Sequence, residues 1–331
     1  KTTYTTDLGT TLYEAADGTK ITLLANAAVG AVNLNGKTVT LDLNGKTVKN
    51  SGGGSAPIRI GLSSSSAKLI ITGSGSFISV NQVLVVENGT LDLSQWTGDD
   101  SYIRHVTISG ANSRFISPNG AGKINTLAFT GSDTKQAADT ASLNGGRYDE
   151  IAYRRSKTIK LGDLLADGYA FRQNGTFLEY AKELKNKDTV ENVEVVPCPH
   201  ADAKDGKCLY CGKDGILARV GDTTYSSVSD AVAAWRANGG TLKLFDDYGQ
   251  GADGNDLDLS SASAEWLTID LNGHGFYKDC KINTSIKLSG GKALTITDSS
   301  GKGTGVFGPI DADRGTLTLE SGTHTAKNVT V

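Results

Sequence analysis

The sequence predicts an all-β chain: a right-handed parallel β-helix in two tandem modules, the second incomplete, joined by a small zinc-knuckle-like linker. Three observations carry that expectation. The chain repeats itself. Tyr4 and Ile21 recur as Tyr225 and Leu242, each at a shift of 221, and Leu41-Asp42-Leu43-Asn44-Gly45 recurs as Ile269-Asp270-Leu271-Asn272-Gly273 at a shift of 228. Gly89-Thr90-Leu91-Asp92-Leu93 recurs as Gly315-Thr316-Leu317-Thr318-Leu319 at a shift of 226. Anchors in one order, drifting only by loop insertions, mark a duplicated module. Apolar residues also alternate with polar ones in strand after strand, with no crossover helix between them. Finally, 41 glycines against 5 prolines fit many tight corners rather than a helical bundle.

Each module opens on a short helix. Residues 10–17 read as the first, with Leu12, Ala15 and Ala16 on its apolar side and Asp17-Gly18 as its stop. In the second copy Ser229 or Asp230 is the expected cap of a helix running through Trp235 to Ala237, and Asn238-Gly239-Gly240 ends it. The strands follow. Val39, Leu41 and Leu43 point one way and Thr40 and Asp42 the other, a pattern repeated by Leu267-Thr268-Ile269-Asp270-Leu271. Leu69 and Ile71, Val83 and Val85, Leu91 and Leu93, Val106 and Ile108, Leu294 and Ile296, and Leu317 and Leu319 continue it. An antiparallel sandwich also satisfies such alternation. The β-helix is preferred because short, similar side chains and an Asn-Gly corner let coils of roughly 20–25 residues stack like on like, ~4.8 Å apart. It also gives the repeated helix a task, as a lid over the open end of the stack.

Leu161 to Gly168 suggests a short helical turn, Tyr169 to Tyr180 a hairpin around Asn174-Gly175, and Lys182 to Asp188 an exposed charged stretch. Together they read as the closing cap of the first module. The expected domains are thus 1–195, a linker at 196–215, and a truncated second module at 216–331. The linker holds the strongest motif, Cys198-Pro199-His200, seven residues, then Cys208-Leu209-Tyr210-Cys211. Three thiolates and an imidazole complete a tetrahedron around structural zinc and leave no position open for water or substrate. A disulfide among these cysteines is the alternative. Cys280, the fourth cysteine, reads as a buried thiol.

Bulk properties narrow the partners. Net charge is −3 and the isoelectric point about 5.9, without the basic face of a nucleic-acid binder. No apolar stretch is long enough to span a membrane, and the chain has no methionine, so a targeting segment is expected to be absent or already removed. Several motifs fail. Gly36-Lys37-Thr38 and Gly45-Lys46-Thr47 lack the upstream glycine of a phosphate loop, with Ala31 and Thr40 in its place. Gly303-Thr304-Gly305-Val306-Phe307-Gly308 opens no helix, and no G-x-S-x-G elbow occurs. His105, His274 and His324 lie near no nucleophile in sequence.

Two acidic groups remain as binding candidates. Trp96, Asp99, Asp100 and Tyr102 combine an aromatic platform with carboxylates, in the manner of a sugar site. Asp246, Asp247, Asp253, Asn255, Asp256 and Asp258 form an oxygen-rich loop that could hold calcium. A solvated turn is the favoured reading of both. No catalytic residue is assigned.

The run Gly221-Asp222-Thr223-Thr224-Tyr225, helix, Gly239-Gly240-Thr241-Leu242-Lys243-Leu244, then Leu267 to Gly273 resembles repeats of large secreted or cell-wall-attached surface proteins of Gram-positive bacteria, which are pectate-lyase-like β-helices. Leu164 to Phe171 and the Cys198-Pro199-His200 linker resemble recurring parts of the same proteins. The resemblance implies an extracellular, non-catalytic adhesion, binding or display region, monomeric within a longer multi-module chain and contacting glycans or host proteins. The alternatives are a polysaccharide lyase or glycoside hydrolase, in which Asp99, Asp100 and Arg104 would converge, and a mechanical stalk without ligand.

Overall fold

Strands that are neighbours along the coil axis run parallel through the body of the fold, in a computed structural model of the chain that has the form of a right-handed parallel β-helix. The structure describes residues 6–51, 58–62, 67–78, 84–98, 101–120, 122–131, 140–249, 257–277, 285–301, 304–320, 324–326 and 329–330. The chain divides into two compact units, Lys1–Cys198 and Pro199–Val331.

The first unit opens on α1, Leu8–Glu14. It begins and ends earlier than the sequence suggests, because the Asp7 carboxylate accepts the Thr10 amide at 3.2 Å and caps the helix there. Its buried side is therefore Leu8 and Leu12. Beyond it the coils stack in register. Val39, Leu69, Leu91, Phe115 and Ala141 are successive partners on one wall. Val32, Ile58, Leu84, Val106, Leu127 and Ile151 are successive partners on another. All of them are buried, and burying a side chain of this size contributes about 1.5–3 kcal/mol. Like residues thus fill the core coil by coil, which is what selects the parallel stack.

The repeated Leu-Asp-Leu-Asn-Gly run makes the corner between walls. Asn44 and Gly45 adopt φ of 47° and 74°, a left-handed pair that asparagine and glycine tolerate best. The Asn44 side-chain amide donates to the Leu23 carbonyl one coil below at 3.0 Å. The stack closes where direction reverses: Thr189–Pro197 runs antiparallel to both Arg147–Tyr153 and Tyr169–Gln173. The Tyr169–Gln173 strand turns back on Asn174-Gly175 into Thr176–Phe177, as the sequence predicts. An antiparallel hairpin covers the last parallel edge so that no further coil can add.

The second unit repeats the design. α2, Val228–Asn238, is capped by Ser227, two residues before the expected Ser229, and ends at Gly239 with φ of 74°. It buries Val228, Ala231, Val232 and Trp235. Three sheets then form three walls, parallel except where Ala218–Val220 and Thr223–Tyr225 extend the first one antiparallel. Gly240–Leu244, Trp266–Asp270, Ala293–Thr297 and Thr316–Leu319 make the first. Leu257–Asp258, Ile286–Lys287, Ile310–Asp311 and Val329–Thr330 make the second. Gly275–Phe276, Gly305–Phe307 and His324–Ala326 make the third.

Candidate metal centre

The Cys/His segment is ordered by local turn chemistry rather than by a core. After the Thr189–Pro197 strand, the Cys198 amide donates to the Gly168 carbonyl at 2.8 Å. His200 follows in a left-handed conformation, φ 47°, which turns the chain back toward Cys198. A two-residue turn at Asp205-Gly206, with φ of 51° and 72°, folds Ala203–Lys204 onto Lys207–Cys208. The Gly212 amide then donates to the Cys208 carbonyl at 3.0 Å, closing a tight loop around Cys211. Asp202 anchors this loop. Its carboxylate accepts the Tyr210 hydroxyl at 2.8 Å and the Lys243 ammonium at 2.6 Å.

The outcome is convergence of four donors. One ligand atom each from Cys198, His200, Cys208 and Cys211 lies within 4.8 Å of every other, and Cys211 Sγ stands 3.4 Å from His200 Nδ1. A tetrahedral ion with metal–sulfur bonds of ~2.3 Å and metal–nitrogen bonds of ~2.0 Å needs its donors roughly 3.5–3.8 Å apart. The cluster meets that requirement with only small side-chain movements, so these residues could hold a metal ion. The three cysteines carry thiols rather than a disulfide, and Cys198 and Cys208 are buried. A soft, nearly closed donor set of this kind suits a d¹⁰ ion and fills its whole shell.

The sugar-site expectation is corrected at Trp96. Its ring is 1% exposed, its indole N–H donates to the Gly75 carbonyl at 2.9 Å, and it belongs to the core. A Cβ at Gly98 or Gly122 would lie 2.7 or 2.9 Å from the ring, so both glycines make room for it. The reason is a register irregularity between Asp92 and Gln95. A one-residue slip inverts the facing of everything after it, and the residue that simple alternation sends outward turns in. Tyr102 is half-buried at the start of Tyr102–Ile108, and Arg104 is exposed on the same strand. Asp99 and Asp100 lie outside the described residues.

In the oxygen-rich loop, Asp246 accepts the Asp247 amide at 2.8 Å, Asp247 accepts the Gly275 amide at 2.6 Å, and Asp258 accepts the Ser260 amide at 2.9 Å. Each is turned toward backbone; Asp253, Asn255, Asp256 and also Cys280 lie outside the described residues. Sequence reasoning passed over Trp266, which is 75% exposed while Trp96 and Trp235 are buried. Its signal was available, because it precedes inward Leu267 and so points out. Protein-family models, curated proteins and solved structures were all searched, and none matches the chain.

Proposed function

We propose that the chain is a non-catalytic, extracellular binding or display region, and that Cys198, His200, Cys208 and Cys211 hold a structural zinc. The observation that carries the reading is what the ordered carboxylates do. Asp92 accepts both the amide and the hydroxyl of Ser94 and pairs with Lys68 at 2.9 Å. Asp270 accepts the amides of Asn272 and Ser299 and the Ser299 hydroxyl. Asp298 accepts the amides of Gly273, Ser300 and Gly305. These groups pin turns. Burial raises the carboxyls of Asp92 and Asp298, but the hydrogen bonds outweigh it and hold both below the ordinary range. A general acid needs the opposite displacement.

A filled Cys₃His shell agrees with this, since it has no open position at which to activate water. The likeness of the Gly221–Gly273 run to repeats of Gram-positive surface proteins supports an extracellular, multi-module setting. Polysaccharide cleavage is the weaker reading, because its aromatic platform, Trp96, is in the core. The test is incubation of the purified chain with polysaccharides, following retention and new reducing ends together. Retention without product is expected. Product release that disappears in Asp99→Asn/Asp100→Asn would overturn the reading in favour of an enzyme, and neither retention nor product would leave a stalk.

A further inference from the structure

The first wall of the second unit carries a feature that its counterpart in the first unit lacks. Thr241, Thr268, Thr295 and Thr318 are successive partners across four parallel strands, and all four are exposed or half-exposed. Among the described residues none of these hydroxyls is engaged in a hydrogen bond. At the edge of this column stands Trp266. Its register partner on one side is Ala293, and Gly239 lies beside its backbone on the other, with a Cβ position 3.5 Å from the Trp266 carbonyl. Both neighbours are too short to cover the indole.

The first unit supplies an internal control. The positions matching this column there are Lys20, Thr40, Ile70 and Asp92, and charges on that wall are paired, Lys20 with Asp42 and Lys68 with Asp92. The position matching Trp266 is Thr38, half-buried and ordinary. The scaffold therefore needs neither the tryptophan nor the unbroken threonine column. Beside the column in the second unit, Lys243 is paired with Asp202 at 2.6 Å and approaches Asp270 at 4.0 Å, and two residues past Thr318 the exposed Glu320 adds a carboxylate.

We infer that this face binds an extended, uncharged polysaccharide, with a sugar ring on Trp266 and sugar hydroxyls exchanging hydrogen bonds with the threonines. The inference rests on the binding-region reading above and gives it a site. The column repeats every ~4.8 Å along the stack, so a ligand meeting all four hydroxyls must itself be a repeating chain. With Lys243 already paired and the Glu320 carboxylate exposed, the face disfavours a polyanion, which leaves a neutral chain. A protein partner fits less well: one indole offers ~150–250 Å², whereas a stable protein interface takes ~800 Å² per side. Trp266–Asp270 and Ala293–Thr297 are each paired on both edges, so an added β-strand has no place to dock between them.

The test is affinity electrophoresis of the whole chain in gels containing a mixed-linkage β-glucan, an arabinoxylan, a galactomannan or a polyuronate. The expected result is retardation by at least one neutral polymer and a blue shift of indole emission on binding. Trp266→Thr, which copies the first unit, and the double variant Thr268→Lys/Thr295→Lys should each weaken binding at least tenfold at an unchanged unfolding midpoint, while Thr38→Ala should not. Neutral-polymer binding that survives in both variants would overturn the site and leave the binding-region reading standing. Retardation by polyuronate alone would overturn the ligand class. No retardation by any polymer would overturn the inference and remove glycans from the broader reading as well.

Discussion

The Asn272 side-chain amide donates to the Leu244 carbonyl at 3.0 Å, across one coil of the second unit, with Asn272 itself held at φ 47°. One side chain thus satisfies a carbonyl and occupies a left-handed corner. Asn272→Ala is expected to cost about 2–3 kcal/mol, from a lost hydrogen bond and a strained backbone together. Asn272→Gly should cost less, since glycine accepts the corner and loses only the bond. Urea unfolding of the two variants checks the order, and equal costs would show that the corner carries no strain.

Trp96 is expected to behave as a core residue. Trp96→Ala should destabilise by about 3–5 kcal/mol, and Gly122→Ala should also destabilise, because the new methyl would meet the ring at 2.9 Å. Neither should alter polysaccharide retention while the chain remains folded. Chemical unfolding and affinity gels on the same samples separate the two effects.

His105 predicts an acid sensitivity of the first unit. Burial lowers its imidazole below the ordinary value near 6.5, against a smaller opposing pull from Glu150, and its Nε2 is buried without a hydrogen-bond partner. A base with a depressed folded pKa binds fewer protons folded than unfolded. Its stability contribution is complete above the unfolded pKa and declines as pH falls from about 6.5 toward the folded value. His105→Gln should flatten this part of the stability–pH curve. A slope identical to wild type between pH 6.5 and 5 would exclude His105 as its source.

Metal removal should act locally. Residues 198–214 bury few apolar side chains of their own, so a chelator should raise amide exchange there and leave the walls around Leu127 and Ile269 protected. Mass spectrometry under native conditions should find one zinc per chain, and Cys208→Ser should lower that occupancy. Because cysteine must lose its proton to bind, occupancy should also fall as pH drops. Copurification with a full complement of zinc in Cys208→Ser would remove that residue from the ligand set.

Much of the architecture was readable in the chain because a β-helix writes its register into sequence. Leu41 and Ile269, in the same corner motif, occupy equivalent inward sites, and Asn44-Gly45 and Asn272-Gly273 take the same left-handed turn. The convergence of the Cys/His cluster was equally legible, since a short loop with C-x-H and C-x₂-C pairs has little else to order it. Helix ends were read less well, because Asp7 and Ser227 cap from outside the apolar pattern that defines a helix in sequence.

Sequence alone determined the duplicated parallel stack, its turns and the Cys/His cluster that could hold a metal ion, because periodicity and corner chemistry are local properties of the chain. The burial of Trp96 was decided only in the fold. A register slip after Asp92 turned Trp96 inward, while unbroken alternation left Trp266 outside. Side-chain facing depends on the strand beside it, and no residue carries that information by itself.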